Sequence, residues 1–292
     1  MRTTQILSRG WKFRRGEQPG AEAAGFDDSG WESVRLPHDW AISGPFAAEN
    51  DLQVTRIMQD GEMEETRHYG RTGALPHIGT GFYRNVLEIP AEWAGKAFRL
   101  EFDGVMSHAT VRINGREAGG RAFGYSSFAV DATGLLEPGA NVITVRAENR
   151  SAASRWYPGA GLYREVRLLE LAPVHVPVWG TQVLTPYVGK DYASVTLRTK
   201  LDGLKEGETV EIETAVRNAA GAVVATKTDR RQPAYGQPFE QHLTVDRPEL
   251  WSPETPALYT AESRVRVGGV EVDRYTTRFG IRTIEVRADK GF

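Results

Sequence analysis

"GTGFYRNVLEIP", residues 79–90, is the stretch on which the fold turns. Gly79-Thr80-Gly81 has the outward form of a glycine-rich phosphate loop. Such a loop follows a buried strand and opens a helix whose first N–H groups meet the anion. Here Phe82, Arg84, Val86 and Glu88 fall on one side of an extended chain. Tyr83, Asn85, Leu87 and Ile89 fall on the other, and Pro90 closes the run. Aromatic and β-branched residues ended by proline read as a strand. A strand therefore begins where a helix should, and the phosphate reading fails.

Outward from this segment the same signal repeats. "FRLEF" (98–102) puts Phe98, Leu100 and Phe102 on one face, and Ala109, Val111 and Ile113 alternate with Thr110 and Arg112. Asn114-Gly115 follows, the dipeptide of a type I′ hairpin, in which both central residues need φ > 0. "SSFAVD" (126–131) and "NVITVRAEN" (141–149) add two more strands around a Pro138-Gly139 turn. "LAPVHVPVWG" (171–180), spaced by Pro173 and Pro177, reads as a stiff linker, and after it the pattern restarts. "ASVTLRTKL", "TVEIETAVRN", "AVVATKT", "FEQHLTV", "ALYTAESRVRV" and "VEVDRYTTRF" are short strands, the last two joined by Gly268-Gly269. Short strands at this spacing predict all-β architecture, a sandwich or jelly roll before the linker and a second sandwich after it. The polar stretch 47–78 is expected as a long loop, of a length that is usually functional or disordered.

Composition removes several classes. The 292 residues suggest two domains, and 40% hydrophobic with 25% charged residues is ordinary for a globular protein. A net charge of −2 argues against nucleic acid and anionic membrane as partners, and no apolar run has the length of a membrane span. Without cysteine there is no disulfide, thiolate site or cysteine nucleophile, so any immunoglobulin-like core is expected to rest on apolar packing alone. The same lack suits a bacterial cytoplasm and periplasm equally.

The chemistry-bearing residues are few. None of the six histidines lies in H-E-x-x-H or H-x-H spacing, so no metal site and no cofactor is expected. His38-Asp39 reads either as a general-base pair or as a polar strand end over a packed Trp40. Strand neighbours point to opposite faces, which favours the second. No two acidic residues are marked as a converging glycosidase pair, so no catalytic residue is assigned. Arg155, Trp156 and Tyr157 precede Pro158, an extended segment suited to a loop rim. Flat aromatic faces beside fixed donors suit a sugar, while Trp156 as a core plug remains the alternative.

"FDDSGWESVRLPHDWAISGPF" (26–46), "GTGFYRN", "FDGVMSHATVRINGREAGGRAFGYSSFAVDATGLLEPGANVITVRAEN" (102–149) and "SRWYPGAGLYREV" (154–166) together resemble the N-terminal sugar-binding jelly roll of family 2 glycoside hydrolases, most of all its bacterial β-galactosidase branch. "ELWSPETPALYTAESRV" and "RFGIRTIEVRADKGF" are similar to the end of that family's immunoglobulin-like domain. The resemblance implies a jelly roll over 1–172, a linker over 173–180, an immunoglobulin-like domain over 181–286 and, at 287–292, the start of a catalytic (β/α)₈ barrel. It thus implies a truncated chain, inactive alone, whose partners are a carbohydrate, a β-galactoside, and the missing barrel, with room for a homo-oligomer of the full-length enzyme. Arg71, Arg155, Trp156 and Tyr157 are the expected substrate-binding residues, with Asp39 beside them. Some members carry an acidic sugar contact just ahead of the tryptophan; Arg155 stands there, so that contact does not transfer. A free-standing carbohydrate-binding module, or a parent enzyme specific for β-glucuronides or β-mannosides, stands as the alternative.

Overall fold

The alternation read at 79–90 becomes the central strand of a sandwich. The computed structural model describes residues 1–47, 49–50, 52–59, 62–69, 76–151, 156–234 and 236–291, with 52–59 and 62–69 as backbone only. The chain divides into two compact units, Thr3–Glu170 and Leu171–Phe292, the latter taking in Met1–Arg2.

In the first unit a six-stranded sheet has the order β3-β2-β6-β11-β8-β9. Its strands are β2 (Trp11–Arg15), β3 (Glu32–Val34), β6 (Gly79–Ile89), β8 (Ala109–Ile113), β9 (Arg116–Arg121) and β11 (Gly139–Asn149). Facing it is a four-stranded sheet of β1 (Thr3–Ile6), β12 (Val166–Leu171), β7 (Ala97–Phe102) and β10 (Phe128–Asp131) in that order. Between them Trp11, Tyr83, Leu100, Phe102, Val111, Ile143 and Leu168 are almost wholly buried. Asn114 and Gly115 take φ of 49° and 79°, as the hairpin requires.

Strand β6 shows how the faces are used. Tyr83, Leu87 and Ile89 enter the core. The opposite side is covered at its first half, where Phe82 packs edge-on against Trp31 at 6.1 Å beneath a loop spanning 16–31, while Val86 and Glu88 stay exposed. Arg84 is 3% exposed. It donates to the carbonyls of Ala21, Ala23 and Ala24 and pairs with Asp28. The Asp27-Asp28-Ser29-Gly30 turn thus supplies the counter-charge that lets an arginine be buried. Gly81 has a packing reason: a Cβ there would come within 2.9 Å of the Phe13 ring and 3.3 Å of Trp40.

The long loop expected over 47–78 is corrected. β4 (Leu52–Gln59) and β5 (Glu62–Tyr69) form an antiparallel hairpin, in register from Leu52↔Tyr69 to Gln59↔Glu62. Asp60-Gly61 between them is a hairpin dipeptide, the available and overlooked signal.

The second unit pairs a sheet of β13 (Thr181–Val188), β14 (Tyr192–Thr199) and β17 (Phe239–Asp246) with one ordered β16-β15-β18-β19. The latter strands are β15 (Val210–Arg217), β16 (Val223–Arg231), β18 (Tyr259–Val267) and β19 (Val270–Phe279). The strip expected as a linker is anchored to this unit. His175 and Val176 are buried, and the Val176 amide donates to Asp273 Oδ2 at 2.8 Å. Arg2 pairs with the same buried carboxylate at 3.0 Å.

This core is not apolar alone, as the lack of cysteine had suggested. Thr214 Oγ1 donates to Gln241 Oε1 at 2.7 Å and lies 2.8 Å from Ser263 Oγ. Gln241 Nε2 donates to the carbonyl of Ile212 at 3.0 Å. The node joins three strands of two facing sheets, and all three side chains are at most 1% exposed. Because an unsatisfied buried partner is costly, Gln241→Leu is expected to destabilise the second unit by about 1–3 kcal/mol. Urea unfolding followed unit by unit should show that loss without shifting the first unit's transition.

Candidate functional site

Segment 36–40 and segment 157–162 run side by side at one edge of the first sandwich. The amide of His38 donates to the Leu162 carbonyl at 2.8 Å, and that of Trp40 to the Ala160 carbonyl at 3.4 Å. Trp40 is fully buried and packs edge-on against Phe13 at 5.7 Å, so Asp39 is held in a fixed position between them.

Asp39 spends both carboxylate oxygens locally. Oδ1 accepts from the amides of Ala41 (3.1 Å) and Ala160 (3.0 Å). Oδ2 accepts from the Tyr157 hydroxyl at 2.6 Å. It caps the short 3₁₀ turn Trp40–Ser43 and pins the Tyr157–Ala160 loop to it. Burial, and then the hydrogen bond to Asp39, raise the Tyr157 hydroxyl pKa far above its usual range. His38 is engaged elsewhere, with Nδ1 2.9 Å from the buried Tyr83 hydroxyl, and burial lowers its pKa. His38 and Asp39 therefore have separate partners, and the polar structural reading of that pair holds over the general-base one.

Trp156 lies beside this brace and is 61% exposed, so it is not a core plug. Its Nε1 donates to the Tyr125 hydroxyl at 2.7 Å. Tyr125 and its neighbour Phe123 are exposed in turn, their rings 5.7 Å apart at 60°. Among the expected site residues the structure thus joins Asp39 to Tyr157 and sets Trp156 next to them; Arg71 and Arg155 lie outside the described residues. Phe123 and Tyr125 were missed. The signal was "AFGYSSF", two aromatics flanking a glycine in a connection between strands, which hydrophobic periodicity passes over.

Other polar concentrations have structural employment. On the outer face of the six-stranded sheet Arg112 pairs with Glu22 at 2.7 Å and Arg146 with Glu17 at 2.5 Å. These pairs tie down the 16–31 loop. Among the described residues no three histidines or carboxylates cluster as metal ligands, and no helix is long and apolar enough to cross a membrane.

A jelly-roll sandwich displaying aromatics on its loops, followed by a second sandwich, defines a modular all-β protein. The chain belongs to glycosyl hydrolases family 2: the model of that family's sugar binding domain matches residues 11–172, and the family's further domain model matches 176–282. It is similar to the β-galactosidase BoGH2A of Bacteroides ovatus, 39% identical over 97% of this chain and 32% of that protein. A β-glucuronidase of Formosa agariphila is 26% identical over 100% of this chain and 31% of its own length. The crystal structure of a glycosyl hydrolase family 2 member from Bacteroides cellulosilyticus superposes with a TM-score of 0.85, at 30% identity, covering 99% of this chain and 36% of that one. The chain thus spans about a third of the length of the relatives it matches.

The brace has a spectroscopic signature. A raised phenol pKa means that the neutral form is favoured in the folded state. The associated stability is full below the unfolded tyrosine value of about 10 and is lost as pH climbs from there toward the folded value. Asp39→Asn removes the carboxylate that disfavours the phenolate, so Tyr157 should ionise at lower pH. Ultraviolet titration of this variant, with Tyr157→Phe marking which transition belongs to Tyr157, checks the shift. An unchanged titration would refute the brace.

Proposed function

We propose that this chain supplies the sugar-contacting portion and scaffold of a β-galactosidase-type glycoside hydrolase, the chemistry residing in a catalytic barrel that continues the polypeptide. The observation that carries this reading is the 39% identity to a β-galactosidase along 97% of the chain. The exposed aromatic side chains of the first unit agree with it, since sugars present apolar C–H faces that pack on rings. Retaining hydrolysis needs two carboxyl groups about 5–5.5 Å apart across the glycosidic bond. Asp39, the carboxylate bonded to Tyr157 in the candidate site, has both oxygens engaged in holding its own loop. The chain contributes binding and orientation, and the acid and nucleophile come from elsewhere.

A β-glucuronide substrate is the second reading, favoured by the Formosa agariphila relative. The two separate on chromogenic substrates. The protein encoded by the full open reading frame should cleave an aryl β-galactoside faster than the matching β-glucuronide, and the 292-residue chain should cleave neither. Preference for the glucuronide would overturn the galactosidase reading. In the full-length protein Trp156→Ala should lower kcat/KM by about three- to tenfold, the worth of one ring contact.

A further inference from the structure

The connection between β9 and β10 presents its rings outward for a structural reason. Gly124 and Tyr125 lie in a turn flanked by bends at Ala122 and Ser126, and the rings of Phe123 and Tyr125 meet 5.7 Å apart while both stay exposed. Gly124 is buried, and a Cβ on it would lie 2.4 Å from Met106 Sδ. Only a glycine lets this backbone press onto the core. Its carbonyl accepts from the Tyr163 hydroxyl at 2.8 Å, which fixes the loop from beneath. Phe123 is 63% exposed, Tyr125 44% and Trp156 61%, in a protein whose other large rings on these sheets are mostly buried. Trp156 reaches this group from the loop that Asp39 pins, and its indole N–H is tied to Tyr125.

We infer that Phe123, Tyr125 and Trp156 together form a sugar-stacking surface, with Asp39 and Tyr157 acting as positioning residues behind it. This rests on the carbohydrate reading above. The Tyr125 hydroxyl accepts from the Trp156 indole, which leaves its own proton to donate outward. An apolar protein face docked here would bury that donor without an acceptor, at a cost comparable to a lost hydrogen bond. A pyranoside offers both requirements at once: a C–H face for the Phe123 and Trp156 rings and hydroxyls for the Tyr125 proton. The match of this unit to a sugar binding domain agrees. Asp39 and Tyr157, whose polar atoms are spent on each other and on backbone amides, hold Trp156 in place without touching sugar.

The test uses the 292-residue chain and methyl β-galactopyranoside, followed by saturation-transfer NMR. Saturation should reach the C–H protons of one sugar face, with affinity in the millimolar range. Phe123→Ala and Trp156→Ala should each weaken it about three- to tenfold. Tyr125→Phe should weaken it less than Tyr125→Ala, because the ring stays. Asp39→Asn should weaken it while Asp39 itself gives no sugar contact. Circular dichroism guards against misfolding, and Phe123, being mostly exposed, is the variant expected to fold whatever happens to the others. No saturation transfer from the wild-type chain, or an unchanged affinity in folded Phe123→Ala and Tyr125→Ala, overturns the surface. The activity reading fails separately. A full-length enzyme that cleaves galactosides with unaltered kcat/KM in Phe123→Ala refutes only the surface, while a surface that binds galactoside in an enzyme that does not cleave it refutes only the activity.

Discussion

The first unit depends on how closely β2 and β6 approach around Gly81. Because no Cβ intervenes, Phe13 packs at 4.9 Å from Tyr83, 4.9 Å from His38 and 5.7 Å from Trp40. Burying rings of this size contributes about 1.5–3 kcal/mol each, an upper estimate relative to an extended chain. The consequence reaches beyond stability. Trp40 seats segment 36–40, Arg15 holds the Trp40 carbonyl at 2.8 Å, and Asp39 is thereby placed to receive the Ala160 amide and the Tyr157 hydroxyl. A missing methyl group on one strand therefore sets the position of an indole on a distant loop.

Much of this architecture was legible in the sequence because period-two alternation is a local property. Strands β6, β7, β8, β11, β14, β15, β17 and β18 follow their apolar patterns, and the Asn114-Gly115 turn follows from its two positive φ angles. What alternation does not disclose is what covers each face. Phe82 and Arg84 look like part of an amphipathic outer face and are buried, because the 16–31 loop folds over them and supplies carbonyls and Asp28 to the guanidinium, while Val86 and Glu88 on the same side stay exposed. The hairpin at 52–69 was hidden by its polar composition, although Asp60-Gly61 marked it. The Thr214–Gln241–Ser263 node was invisible for the opposite reason: each residue looks like a surface position until three strands bring them together.

The candidate site was legible in part. The aromatic pair before Pro158 reads as an exposed loop rim, and the structure exposes Trp156 while it half-buries Tyr157 against Asp39. Adjacency in sequence could not say which groups each would meet. His38 turns to Tyr83 while Asp39 turns to a loop more than a hundred residues away. Phe123 and Tyr125 are brought beside Trp156 only by the fold, so nothing in their own segment marked them as its partners.

The division between Asp39 and the exposed rings has an energetic logic. A carboxylate with two backbone amides and a phenol as donors is well satisfied, and each such charge-assisted bond contributes about 1.5–3 kcal/mol. Giving a ligand access to that carboxylate would mean breaking one of these bonds, so its affinity for a sugar hydroxyl would be reduced by the loss. Rings carry no such conflict. Stacking uses the face of a ring rather than a hydrogen-bonding atom, and fixing a ring costs few rotatable angles. Ordering one residue's backbone costs about 1–2 kcal/mol, and here that cost is met within the protein by the Asp39 brace, the Tyr163–Gly124 bond and the Gly124 contact with Met106. A surface ordered in advance leaves more of each ring contact for a ligand, so a shallow aromatic face gains affinity without a charged side chain of its own.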